Sequence, residues 1–89
     1  MGCYVNPNTD KGQWLKANGQ ATGNTPGPRT STHLPVCLVD NGMFTAAAVA
    51  YSDRELREFT RPDDFRPRTW FTVPIEKLRE ACDIDAYLR

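Results

Sequence analysis

Leu34-Pro-Val-Cys-Leu-Val-Asp-Asn-Gly-Met-Phe-Thr-Ala-Ala-Ala-Val-Ala-Tyr-Ser-Asp-Arg-Glu-Leu-Arg-Glu-Phe59 holds most of the apolar material of the chain and its clearest punctuation. Asn41-Gly42 stands between two apolar runs, the pair that a two-residue type I′ turn requires, because both central residues need positive φ. The expectation is a hairpin, Leu34–Val39 against Met43–Ala50. A turn at Asn41-Gly42 sets Val39 opposite Phe44, Cys37 opposite Ala46 and Val36 opposite Ala47. One face then carries Leu34, Val36, Leu38, Thr45, Ala47 and Val49, and the other Cys37, Val39, Phe44, Ala46, Ala48 and Ala50. Neither face is polar, so the hairpin belongs in the middle of a sheet with cover on both sides.

Ser52-Asp-Arg-Glu55 has the form of a capping box, in which the serine hydroxyl accepts from an early helical N–H and the glutamate reaches back. A short helix, Asp53–Phe59, is expected, with Leu56 and Phe59 inward and Arg54, Arg57 and Glu58 in water. A competing reading runs one helix from Thr45 through the alanines to Phe59, since alanine is the best helix former. The serine and glutamate argue against it, because together they mark a start.

Before this stretch, Cys3-Tyr4-Val5 suits a very short strand stopped by Pro7. Asn8 or Thr9 then caps a helix Asp10–Ala17, closed by Asn18-Gly19 as a left-handed C-terminal cap. Its only large apolar residues are Trp14 and Leu15, so it stands only if they dock on the core. Gln20–Thr32, rich in proline, glycine and threonine, has nothing to bury and is expected to be a flexible loop. After Phe59, Thr60–Pro67 is a two-proline loop, Arg68–Val73 has the β-branched and aromatic composition of a strand, and Pro74 opens a helix Ile75–Cys82. The stripe Ile75, Leu78 and Cys82 turns inward, and Ile84, Tyr87 and Leu88 give the tail apolar groups with which to dock. The expected fold is α+β: one domain, residues 1–89, with a small, mainly antiparallel sheet of three or four strands and two or three short helices packed on it.

With 89 residues the chain buries about 60–65% of the surface its unfolded form exposes, so the core is thin. Eleven basic and eleven acidic residues cancel, which disfavours both nucleic-acid binding by a basic surface and phosphate mimicry by an acidic one. Met1–Pro7 lacks the basic and apolar regions of a signal peptide, and no apolar run approaches the ~20 residues that span a bilayer. The expected location is the cytoplasm. Cys3, Cys37 and Cys82, odd in number and widely spaced, suit reduced thiols.

Four constellations could carry chemistry. Cys37 with His33 and Asp40 would be a nucleophile and base, but residues four apart on a strand stand about 13 Å apart, beyond hydrogen-bond reach. Cys3, His33, Cys37 and Cys82 are four soft ligands for zinc without a close Cys-x-x-Cys pair. Asp63-Asp64 and Asp83 with Asp85 read as turn formers and helix caps before they read as acid–base pairs. No cofactor is expected, and no catalytic residue. The fourth constellation is the arginines, Arg54, Arg57, Arg61, Arg66 and Arg68, interleaved with Phe59, Phe65, Trp70 and Phe71, a composition that suits protein hot spots and phosphate recognition alike. These five are the expected partner-binding residues, with Gln20–Thr32 as a flap that orders on binding.

Three blocks together carry a resemblance: Cys3-Tyr-Val-Asn-Pro with Asp10-Lys11, Trp14-Leu15 and Asn18-Gly19; Leu34-Pro-Val-Cys-Leu-Val-Asp-Asn-Gly with Phe44-Thr-Ala-Ala; and Arg66-Pro-Arg-Thr-Trp-Phe-Thr-Val-Pro-Ile-Glu-Lys-Leu78. The chain resembles small proteins encoded by bacteriophages and related mobile elements of proteobacteria. The resemblance implies a non-enzymatic accessory protein that binds, and inhibits, a host protein or defence complex, in the manner of anti-CRISPR proteins. Two other classes stay open: a nucleic-acid-associated regulator using the same arginines, and a small zinc or thiol protein.

Overall fold

A computed structural model describes residues 3–4, 11–40, 45–50, 52–59 and 68–88. In chain order its elements are β1 (Cys3–Tyr4), α1 (Lys11–Asn18), β2 (Gln20–Gly23), β3 (His33–Asp40), β4 (Thr45–Val49), α2 (Asp53–Phe59), β5 (Arg68–Pro74), α3 (Ile75–Ala81) and α4 (Ile84–Leu88). The strands form one sheet in the order β1-β4-β3-β5-β2, and every neighbouring pair is antiparallel. The fold is therefore α+β. The strand that was not expected is β2, which takes the place of the first part of the loop Gln20–Thr32, and the short α4 forms from the docking tail.

The hairpin is present, and its register differs from the expectation by two residues. Val36 faces Val49 and Leu38 faces Ala47. Asp40 with Thr45 is the last pair among the described residues, and the turn expected at Asn41-Gly42 lies outside them. A slip of two residues keeps every side chain on its face, because the strand repeat is two. What the slip gains is a β-branched pair, Val36 with Val49, in place of valine against alanine.

β3 is the central strand and contains Pro35, which cannot donate to a ladder. The carbonyl of Pro35 accepts the Ala50 N–H at 3.3 Å, just past the last β4 residue. The missing donor points the same way as that carbonyl, so it falls beyond the end of the β3–β4 ladder and leaves no strand unpaired.

Both faces of the sheet are covered, as the apolar alternation requires. On one, Leu34, Val36, Ala47, Val49, Phe71 and Val73 meet Leu15 of α1, Ile75 and Leu78 of α3, and Ile84 of α4. On the other, Cys37, Ala50 and Trp70 meet Leu56 of α2. The first helix stands for the reason expected: Leu15 is fully buried and Trp14 packs beside it. Asn18 donates from Nδ2 to the Trp14 carbonyl at 2.9 Å and closes its last turn.

Gly19 is not the left-handed cap that the sequence suggests, since Gly23 is the glycine with positive φ among the described residues. A Cβ on Gly19 would meet Val73 Cγ2 at 2.8 Å and the Thr72 carbonyl oxygen at 3.0 Å. Glycine is needed there because the end of α1 crosses the backbone of β5. Gly23, with φ 91°, sits where the β2–β5 register shifts at a bulge. The first four residues of the expected loop Gln20–Thr32 are thus strand β2, although all four are exposed.

Candidate functional site

α2 begins at Asp53 as the Ser52–Glu55 pair predicts, with the Leu56 N–H donating to the Ser52 carbonyl at 3.0 Å. Leu56 packs on Cys37, Ala50 and Trp70, and this fixes the rotation of the helix. Arg54 and Arg57, three apart, are consequently exposed. Of the other expected arginines, Arg68 is the first residue of β5, in register with Val39, and its side chain lies outside the described residues. Arg61 and Arg66 lie outside them altogether, as do Asp63-Asp64. The structure therefore places Arg54 and Arg57 together.

It also brings in a residue that the sequence reading passed over. Gln20–Thr32 is tied at two points in place of forming a free flap. Thr22 Oγ1 donates to the Thr25 carbonyl at 3.1 Å, and the Thr30 hydroxyl accepts the N–H groups of His33 at 2.9 Å and Thr32 at 3.3 Å. The Thr30 N–H returns to the His33 carbonyl at 3.0 Å, and the Ile75 N–H donates to the Thr32 carbonyl at 2.8 Å, joining the loop to the start of α3. Between these ties Arg29 reaches the first turn of α2: Arg29, Ser52, Asp53 and Leu88 line an open groove of about 350 Å3. No local motif announces Arg29, because its place follows from the path of the loop past β5.

Leu88 is also a wall of a second groove, of about 520 Å3, shared with Ser31, Thr32, His33, Pro74, Ile75, Glu76 and Arg79. Here the Thr32 hydroxyl and His33 Nδ1 are 2.8 Å apart. Arg79 donates from Nε to both carboxylate oxygens of Asp85, at 3.1 and 3.2 Å. Both partners of that ion pair are more than half exposed, so it steers Arg79 more than it stabilises the fold. Leu88 itself is 39% exposed, the large apolar side chain left in solvent among the described residues.

The thiols fall apart spatially. Cys37 is fully buried under α2, whereas Cys82 packs from the end of α3 against the opposite face of the sheet. Two ligands separated by the thickness of a sheet cannot share one tetrahedral ion, and among the described residues no three His, Cys, Asp or Glu side chains gather around a metal-sized site. Cys37 is fully buried and packs on Ala50, Trp70 and Leu56.

No helix among the described residues is long and apolar enough to cross a membrane. No family model matches the chain, and neither a curated protein nor a solved structure matches it.

Proposed function

We propose that this protein works by binding: a small, non-enzymatic accessory protein, phage or mobile-element in kind, that engages a host protein or defence complex in the bacterial cytoplasm and restrains it. The observation that carries the reading is the pair of exposed arginines, Arg54 and Arg57, on a helix whose orientation is locked by Leu56. Rigidly presented guanidinium groups lose little freedom on docking and bind carboxylates in a forked geometry, the properties of interface hot spots. A partner surface of roughly 800 Å2 per side fits a domain of this size. The buried setting of Cys37 supports the same reading, since it gives the thiol of the central strand to packing.

Charge reversal tests it. Arg57→Glu, alone and with Arg61→Glu, is expected to abolish capture of the host partner by the tagged protein while the far-ultraviolet circular dichroism stays unchanged. Unchanged capture removes this face from the interface. A steep loss of binding with added salt would instead favour the nucleic-acid regulator, because phosphate contacts release counterions.

A further inference from the structure

The larger groove joins an apolar floor to a carboxylate that the fold leaves unanswered. We infer that it is a second binding surface, which takes a basic side chain of a partner protein, the charged head on Glu76 and the methylene stem across Ile75 and Leu88. Its described walls are residues 31–33, 74–76, 79 and 88, none of them from α2, so the site holds whether or not the arginine helix meets a partner.

Pro74, Ile75 and Leu88 give the groove its apolar surface, and Leu88, 39% exposed, is the part that a partner can cover. Glu76 and Arg79, three apart on α3, are near enough in sequence to pair with each other. Arg79 turns to Asp85 instead, giving Nε to both carboxylate oxygens at 3.1 and 3.2 Å. The exposed Glu76 carboxylate has no hydrogen bond or ion pair among the described residues. Of the two charged α3 side chains in the wall, one is therefore answered from within the fold, and the other is left for a cation. Over residues 75–88 four acids, Glu76, Glu80, Asp83 and Asp85, stand against two bases, Lys77 and Arg79, so the surrounding field also favours positive charge. An anion would find Asp85 already on Arg79 and Glu76 in the same wall. A lysine or arginine carries its charge on a methylene stem, which can cover leucine while the head reaches a carboxylate. An ammonium seeks more than one oxygen, and the exposed Ser31 hydroxyl in the loop wall offers another. The wall exists before the partner arrives: the Thr30 hydroxyl accepts the His33 and Thr32 N–H groups, and the Ile75 N–H fastens the loop to α3 at the Thr32 carbonyl. Little freedom is then lost on docking.

The test is a titration of 15N-labelled protein, followed by amide chemical shifts, with acetyl-Gly-Lys-Ala-Lys-Gly-amide and with a counterpart carrying norleucine for both lysines. Shifts are expected at residues 31–33, 75–79 and 88. The lysine peptide is expected to bind the unsubstituted protein about three- to five-fold more tightly than the norleucine peptide, and Glu76→Gln equally with it, because the charge pair is then absent. Glu76→Gln removes no contact made among the described residues, and the unshifted remainder of its spectrum reports an intact fold. Equal affinity of the two peptides for the unsubstituted protein, or a lysine advantage that survives Glu76→Gln, would overturn the inference, as would shifts elsewhere or none. Tighter binding of a glutamate counterpart on the same residues, lost in Arg79→Gln, would overturn it in favour of an anion site. Shifts confined to residues 52–57 would overturn it while keeping α2 as an interface, which the Arg57→Glu capture experiment decides separately.

Discussion

Gly19 shows how one residue can be needed for a reason its neighbours in sequence do not reveal. Asn18-Gly19 after a helix suggests a left-handed cap, yet the constraint is lateral: the end of α1 lies so close to β5 that a methyl group would sit 2.8 Å from Val73 Cγ2. Val73 is fully buried and has nowhere to yield. Gly19→Ala should therefore destabilise the domain by about 1–3 kcal/mol, as overpacking does, and urea denaturation would measure it. Gly23→Ala meets no neighbour, and its cost comes from the positive φ alone. The arginines divide in the same way. Arg54 and Arg57 could be read from sequence because helical phase turns them away from Leu56, while Arg29 could not, since nothing local ties a proline-rich loop to a helix more than twenty residues later.

At the scale of elements, the periodicities carried far. The apolar alternation over residues 34–50 identified which residues share a face, and an even slip in register left that assignment intact. The serine–glutamate pair located the start of α2, and Pro74 the start of α3, because caps act on their own turn. β2 escaped for a physical reason: Gln20–Gly23 buries no side chain, so its strand conformation comes from backbone pairing with β5 and leaves no hydrophobic pattern. Among the described residues Leu56 is the α2 side chain packed on the core, and its contribution can be measured. Leu56→Ala should cost about 1–3 kcal/mol by loosening the helix from Trp70 and Ala50. Arg54→Ala, at an exposed position, should stay within about 0.5 kcal/mol in the same denaturation experiment.

At the scale of the whole molecule the two faces of the sheet carry separate cores. Among the described residues, ten buried side chains from the sheet and three helices form one, and Cys37, Ala50 and Trp70 with Leu56 form the other. Ile84, in the short α4, is only 1% exposed and belongs to the larger core. Ile84→Ala should cost about 2–4 kcal/mol, a large part of the 5–15 kcal/mol that holds a small domain together, and should lower the thermal midpoint by more than ten degrees. The same helix carries Leu88 at its far end, so detaching α4 would dismantle the walls of both grooves at once.

β3 lies between β4 and β5, and β4 leads to β5 through α2, so β5 runs parallel to β4 on the far side of β3. Sequence neighbours β3 and β4 can meet within microseconds, but the other side of β3 stays open until the distant β5 arrives. During synthesis, when residues 68–74 are still inside the ribosome, an emerged chain carries a long apolar strand with an unsatisfied edge. Nascent-chain crowding, more than the equilibrium stability of the finished domain, is then the condition under which this molecule would be lost to aggregation, and overexpression would strain it first at that step.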